Sequence, residues 1–529
     1  MSVPTLLNHL VEHAAARDGD ACALRANGVE FSYTMLAQQV QACAHGLLEL
    51  GVRRGDRVGI FLEKRFEAVV ASFGTAACGA VFVPINPLLK AAQVGHIMRD
   101  SGARILITSA QRLAALGALQ QACPALAHVV LVDGDAPGAR SWMSFIDGPA
   151  RALHRVIDSD VAAILYTSGS TGQPKGVVLS HRNMVSGACS VASYLGNHAG
   201  DTLLAALPLS FDAGFSQLTT GFLTGARVVL INYLMARDVV NALAAERVTG
   251  LTAVPPLYMQ IVQLPWPASI DAHLRYFAST GGRMPRVTLD ALRTRVPSAS
   301  PFLMYGLTEA FRATYLPPEQ VDVRPDSIGR AIPNAEVLVL REDGSPCLPG
   351  EPGELVQRGP LVAQGYWNDA TRTAERFRPL PDAAGVRPYG LMQKEIAVFS
   401  GDTVRTDEDG FLYFVGRRDD MIKTSGYRVS PTEVEESLLS TGRVSECVAF
   451  GVADPELGQV IAVALHFAGS PDVAALRALC RAQLPAYQVP AHFIVFEDAL
   501  PRNPNGKLDR TAIEAEARCR LNLPAGRES

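Results

Sequence analysis

The stretch AAILYTSGSTGQPKGVVLSH, residues 162–181, passes from an apolar strand-like run into a turn of hydroxyls and glycines, then back into an apolar run. Its glycines are Gly169, Gly172 and Gly176, its hydroxyls Thr167, Ser168, Ser170 and Thr171, and its only lysine is Lys175. Glycine tolerates positive φ, so backbone N–H groups in such a turn can converge on an anion. Ser and Thr add neutral donors and the lysine adds one charge. The P-loop pattern G-x-x-x-x-G-K-[ST] is not met, because Lys175 follows a proline and precedes a glycine. Taken alone, the stretch reads as a flexible polar turn between two strands.

The flanking apolar runs belong to a longer alternation. DRVGIFL (56–62), ARILITS (103–109), HVVLVD (128–133), ARVVLI (226–231) and AEVLVL (335–340) read as short strands. YTMLAQQVQACAHGLLELG (33–51) and PRVTLDALRTRV (285–296) read as helices. Strands alternating with helices predict an α/β fold with largely parallel sheets over residues 1–400. From Arg341 the punctuation changes: D-G and P-G turns separate the apolar runs, which predicts hairpins. Beyond Arg418, Ser430, Pro431 and Glu433 spell a helix start, with a hydroxyl cap, proline at the first helical position and a glutamate completing a capping box. The remaining pattern suffices for a small α+β domain. The expected division is residues 1–418 and 419–529.

A chain of 529 residues exceeds one ordinary domain. Its 48% hydrophobic and 19% charged content describes a soluble globular protein, and a formal net charge of -4 gives no reason to expect a nucleic-acid partner. Nine scattered cysteines without a C-x-x-C pair argue against a disulfide framework or structural zinc and for a reducing cytoplasm. The N-terminus lacks the basic start of a signal peptide, and Leu6, Leu7, Leu10, Val11 and Ala14 follow helical spacing. Residues 68–89 carry no charge, but Gly79, Pro84 and Pro87 divide them into a small-residue helix and a short buried strand rather than a membrane span.

Further motifs recur in order along the chain: GAVFVPINP (79–87), LPLSFDAGFSQL (207–218), STGGRMP (279–285), YGLTE (305–309), FSGDTVRTDEDGFLYFVGRRDD (399–420) and LPRNPNGKLDR (500–510). With the opening stretch they resemble the signatures of the adenylate-forming superfamily, which comprises acyl-CoA synthetases, adenylation domains of nonribosomal peptide synthetases, and luciferases. The resemblance spans almost the whole chain. It implies a large N-terminal domain of several subdomains, with sheets flanked by helices and a distorted β-barrel-like part, and a small mobile α+β C-terminal domain. It implies that Thr167, Ser168, Gly169, Ser170, Thr171, Gly172 and Lys175 cradle the β- and γ-phosphates of ATP. Gly281, Gly282 and Arg283 lie at the adenine-contacting strand end. Tyr305 and Gly306 stand beside the adenine, Thr308 bonds the α-phosphate and Glu309 holds Mg²⁺. Asp402 and Arg417 hold the ribose, and Lys507 reaches the α-phosphate and the substrate carboxylate. The residue types suit these tasks: a hydroxyl donor for an oxyanion, a carboxylate for a hard cation, and two carboxylate oxygens for a vicinal diol.

The resemblance further implies a pivot at Asp419 between two half-reactions, the second using KTSGYR (423–428). There Ser425, Gly426, Tyr427 and Arg428 serve a thiol tunnel for CoA or a carrier-protein phosphopantetheine. No carrier-domain serine motif or condensation-domain histidine motif is present, so a carrier would act in trans. Phe211, Asp212, Phe215, Val254, Tyr258, the strand end at 278–282 and the AFR following Glu309 are the expected acyl-pocket walls. Phe211-Asp212 stands where many acid–CoA ligases have Phe-His. It resembles amino-acid-activating domains, in which the aspartate pairs with the substrate amino group. The other open reading is an aspartate packed in a loop without a ligand. The insertion at 378–399 resembles a bacterial group of acyl-CoA ligases associated with exosortase systems.

Overall fold

The two apolar runs around the opening turn become strands Val161–Thr167 and Lys175–Ser180, an antiparallel hairpin in which Tyr166 faces Gly176 and Thr167 faces Lys175. This computed structural model describes residues 3–117, 119–167, 174–385, 394–417, 422–424, 427–454, 458–484, 488–504 and 506–521. The hairpin closes one edge of a sheet ordered Arg140–Ser141, His128–Leu131, Ile105–Thr108, Arg57–Phe61, Val81–Pro84, Val161–Thr167, Lys175–Ser180. Every neighbouring pair except the hairpin is parallel, as the strand–helix alternation predicts.

A second ladder runs Ser300–Tyr305, Tyr276–Ser279, Gly250–Ala253, Thr202–Ala205, Arg227–Leu230, Cys22–Ala26, all parallel. Antiparallel strands continue it at both sides, Thr314–Leu316 and Val29–Ser32. Helices Tyr33–Glu49, Phe66–Ala77 and Asp212–Thr224 contribute Val40, Phe73 and Phe222 to the largest apolar core. The uncharged run at 68–89 is indeed a buried helix followed by strand Val81–Pro84. Among the described residues, no helix is long and apolar enough to cross a membrane.

The chain divides into two units: Met1–Val337 with Gln357–Leu380 and Leu391–Phe399, and Leu338–Val356 with Pro381–Gly390 and Ser400–Ser529. The second therefore takes in more than residues 419–529. Its later part is a sheet ordered Tyr427–Val429, Ile422–Thr424, Gly458–Phe467, Val444–Asp454, with His492–Val495 added parallel to Gly458–Phe467. Period-two alternation along Val444–Asp454 sends Cys447 and Ala449 toward helices Pro431–Ser440 and Val473–Gln483, and Val448 and Phe450 toward Arg510–Arg520. Pro431 opens its helix as predicted, but Ser430 makes no capping bond. Among the described residues the buried Ser430 Oγ has no hydrogen-bond partner, and the Glu433 side chain lies outside them.

Candidate active site

Lys175 stands at the mouth of the hairpin, opposite Thr167, so the strand pairing presents both to the turn between them. Ser168, Gly169, Ser170, Thr171 and Gly172 lie outside the described residues. Gly176 must be glycine, since an added Cβ would sit 2.5 Å from Ile164 Cγ2. Along the outer edge of strand Lys175–Ser180, Val178 N–H donates to Gly365 O (3.0 Å) and Trp367 N–H to Gly176 O (2.8 Å). That docking delivers Tyr366 to Lys175.

Strand Ser300–Tyr305 brings the second group. It ends at Tyr305, and a single turn, Thr308–Ala310, holds Thr308 and Glu309 half-buried. Gly306 permits the chain to double back, because a Cβ there would lie 3.0 Å from both Phe311 O and Arg312 Cα. Phe311 has φ 62° and ψ -72°, a sparsely populated conformation for a residue with a side chain. Its ring fills the space a side chain at Gly187 would need.

Tyr366 joins the two groups. Its hydroxyl donates to Glu309 Oε1 (2.6 Å) and accepts from Lys175 Nζ (3.1 Å), which lies 3.6 Å from the same carboxylate oxygen. Burial pulls the Lys175 ammonium below its ordinary range. The Glu309 carboxylate opposes that shift, and the Arg376 and Arg372 guanidinium groups add to it. Burial and the Glu309 charge push the Tyr366 phenol well up, so it stays a donor. Tyr366, Arg372 and Arg376 were not anticipated from sequence. The available signal was GYWNDATRTAERF (365–377), with one aromatic hydroxyl followed by arginines four apart.

Gly281, two residues beyond strand Tyr276–Ser279, has φ 80°, as a tight turn requires, and Gly282 is open to within 3.6 Å of Pro255. Arg283 is an exposed partner of Asp326 (2.5 Å). In the second unit, Asp402 and Arg417 face each other across strands Ile396–Thr406 and Leu412–Arg417, with Arg417 Nε 3.2 Å from Asp402 Oδ1. The Ser400 hydroxyl steadies Asp402 by accepting its N–H (3.0 Å). Lys507 sits on the turn closed by Gly506 N–H to Asn503 O (2.9 Å), where its own N–H donates to Asn503 Oδ1 (3.1 Å). Asp419, Ser425 and Gly426 lie outside the described residues. Tyr427 and Arg428 lie on strand Tyr427–Val429.

The expected acyl-pocket residues differ in their surroundings. Phe211 is half-buried and caps helix Asp212–Thr224. Phe215 is in the core, stacked on Phe73 and Phe82. The Tyr258 hydroxyl lies within donating distance of both Leu251 O (3.0 Å) and Ala278 O (2.9 Å), on two parallel strands, and Val254 is buried just before helix Pro255–Ile261, which carries Tyr258. Asp212 is buried against Arg312, Oδ2 to Nη1 3.5 Å. A cavity of about 10 Å³ lies on the other face of helix Asp212–Thr224, walled by Ala213, Ser216, Gln217 and Thr220. Small and polar residues at i, i+3, i+4 and i+7 in an apolar helix were the missed sequence signal.

Glu309 suits Mg²⁺, which keeps several waters and takes one or two carboxylates beside substrate phosphates. Among the described residues no group of three or more His, Cys, Asp or Glu could hold a metal alone. The AMP-binding enzyme profile matches residues 11–367, and the AMP-binding enzyme C-terminal domain profile matches residues 433–507. The chain belongs to the AMP-binding enzyme family, the adenylate-forming ligases. It is 31% identical over 518 residues to tyrocidine synthase 3 of Brevibacillus parabrevis, covering 96% of this chain but only 8% of that protein. It is 30% identical to a long-chain-fatty-acid–CoA ligase of Mycobacterium tuberculosis, covering 92% and 93% of the two chains. Its fold superposes on ATP-bound MatB from Rhodopseudomonas palustris with a TM-score of 0.86 at 25% identity, over 98% of this chain and 99% of that one.

Proposed function

We propose that this chain activates a carboxylic acid with ATP and passes the acyl group to a thiol. A carboxylate oxygen of the substrate attacks the α-phosphorus, the bond to pyrophosphate breaks, and acyl-AMP forms. A thiolate then attacks the acyl carbon, and AMP leaves as the thioester forms. The observation that carries this reading is the Lys175–Tyr366–Glu309 cluster at the mouth of the 161–180 hairpin. The cluster holds a cation and a carboxylate together, which supports a role for Lys175 toward the phosphates and for Glu309 toward a hard metal ion. When bound, Mg²⁺ would neutralise phosphate charge.

The remaining assignments follow the motifs. Thr308 donates to the α-phosphate, Asp402 and Arg417 take the ribose hydroxyls, and Lys507 offsets the charge that builds up during attack. Catalysis of this kind is chiefly positioning and charge neutralisation. Asp419 serves as the hinge between a domain of residues 1–418 and one of 419–529, and Ser425 to Arg428 serve the thiol step. The first acceptor to test is CoA. The extensive likeness to one segment of tyrocidine synthase 3 supports a second, carrier-protein phosphopantetheine in trans. The 378–399 insertion supports placing the chain with the exosortase-associated ligases.

The test is pyrophosphate release with hydroxylamine trapping over fatty, aryl and amino acids, with and without CoA. Acid-dependent pyrophosphate release with a CoA thioester product is the expected result. Pyrophosphate release confined to amino acids, with no CoA product, replaces CoA with a carrier protein. Absence of acid-dependent release from folded enzyme overturns the reading.

A further inference from the structure

One helix holds both arms of the 161–180 hairpin. Helix Ala91–Ser101 buries Val94, Ile97 and Met98 in a core shared with strands Val81–Pro84 and Ile105–Thr108. His96 and Asp100, four residues apart, share another face. His96 Nε2 lies 3.1 Å from Pro174 O. A carbonyl only accepts, so Nε2 carries the hydrogen and donates it. Asp100 Oδ2 accepts the Tyr166 hydroxyl at 2.5 Å. Burial and the Asp100 carboxylate push that phenol well up, so it stays a donor.

The two bonds fall at matching places. Pro174 immediately precedes Lys175, and Tyr166 immediately precedes Thr167. Thr167 and Lys175 face each other as the last pair of the ladder, so each arm is gripped one residue from its phosphate-site group. The Tyr166 ring also lies against the opposite arm. A Cβ at its ladder partner Gly176 would stand 3.1 Å from Tyr166 Cζ.

The same helix end fixes the segment that carries Tyr366. Asp100 O accepts from Trp367 Nε1 (2.9 Å) and Asn368 Nδ2 (2.8 Å). Arg57 donates to Ser101 O (2.6 Å) and Gly102 O (3.0 Å), and its guanidinium stands over the Trp367 ring, 5.3 Å from the centroid. A helix leaves its last carbonyls unpaired, and here they serve as a mount. Asp100 thus meets the hairpin with its side chain and the Tyr366 segment with its backbone. The apolar face seats the helix, while the polar face meets the chain beside Thr167 and Lys175.

We propose that His96 and Asp100 are positioning residues for phosphate binding: through Pro174 and Tyr166 they fix where Lys175 and Thr167 meet the β- and γ-phosphates of ATP and the pyrophosphate that leaves. The inference rests on the adenylation reading above and adds two residues that act through others without touching substrate. Misplacing a binding group by about 1 Å is enough to lose much of its effect.

The assay is acid-dependent pyrophosphate release, with KM for ATP and the inhibition constants of pyrophosphate and AMP measured for each variant. AMP is the control because it has no β- or γ-phosphate. His96→Ala is expected to raise KM for ATP and the pyrophosphate constant by roughly five- to tenfold, the scale of one hydrogen bond, and to leave the AMP constant within about twofold. His96→Gln, whose amide nitrogen stands as many bonds from the backbone as Nε2, is expected to recover most of that loss. Tyr166→Phe removes one oxygen and keeps the test open should His96→Ala fail to fold. It is expected to raise the same two constants by roughly tenfold, since the lost bond is to a carboxylate. A folded variant at either position that leaves the pyrophosphate constant unchanged overturns the proposal. So does an equal loss for AMP, which marks a merely structural role, or a glutamine variant no better than alanine. No acid-dependent release from the wild-type enzyme overturns the adenylation reading itself.

Discussion

Tyr366 lies 57 residues from Glu309 in the chain, yet its hydroxyl is 2.6 Å from that carboxylate and 3.1 Å from Lys175. We expect Tyr366→Phe to remove a hydrogen bond to a charged group worth about 1.5–3 kcal/mol, and so to lower kcat/KM for adenylation by roughly 10- to 100-fold. Because the bond orients Glu309, the Mg²⁺ concentration for half-maximal rate should rise while the melting temperature stays near that of wild type. Steady-state kinetics over a Mg²⁺ titration, paired with thermal melts, checks this. An unchanged Mg²⁺ requirement removes Tyr366 from the site. The YGLTE segment could be picked out in sequence because its five residues are consecutive. Tyr366 and the polar face of helix Asp212–Thr224 were not, nor was the pairing of Arg312 with Asp212, because each gains its meaning from a distant segment. Asp212 shows the same limit: the spelling Phe-Asp left a substrate contact and a packed aspartate both open, and only packing revealed the guanidinium beside it.

At the scale of elements, the hairpin passes directly into helix His181–Leu195, capped by Ser180 and Asn183 in a reciprocal pair and ended by Gly196 in the left-handed region. The first residue of that helix is buried His181, whose Nδ1 accepts from Leu7 N–H (3.0 Å) and ties the N-terminal segment down. Burial pushes its pKa down from 6.5 to about 4. Above pH 6.5 the ring is neutral folded and unfolded, so it adds no pH dependence. Below 6.5 the unfolded chain binds a proton that the folded chain refuses until about pH 4. Stability therefore falls as pH drops through that window, by at most roughly 3 kcal/mol from this group. Urea unfolding of wild type and His181→Gln from pH 4 to 7.5 should show a shallower acid loss in the variant. Equal slopes would show that His181 is not buried neutral. Short strands and helices were read correctly because period-two and period-3.6 patterns are local properties. The cap bond expected at Ser430 is not made, because a signature states only what a backbone can do.

For the whole molecule, the assignments of Lys175, Thr308 and Glu309 fall in one unit and those of Asp402, Arg417 and Lys507 in the other. If Lys507 serves only the first half-reaction, Lys507→Ala should slow acyl-AMP formation by roughly two orders of magnitude or more, the scale for losing one charge-stabilising donor. Thioester formation from supplied acyl-AMP should stay within a few-fold of wild type. Separate assays of the two half-reactions decide it, and equal loss in both would falsify the division of labour. By itself the sequence determined the strand–helix order, the parallel α/β class, the family and the positions of its motifs, because those depend on local spacing and on residue types in fixed order. Only the tertiary structure decided how many sheets those strands make and which residues of helix Asp212–Thr224 face the core. It alone brought Tyr366 to Lys175 and Glu309, and Arg312 to Asp212. Those are contacts between segments far apart in the chain, and they exist only once strand edges have paired and a helix has chosen which face to bury.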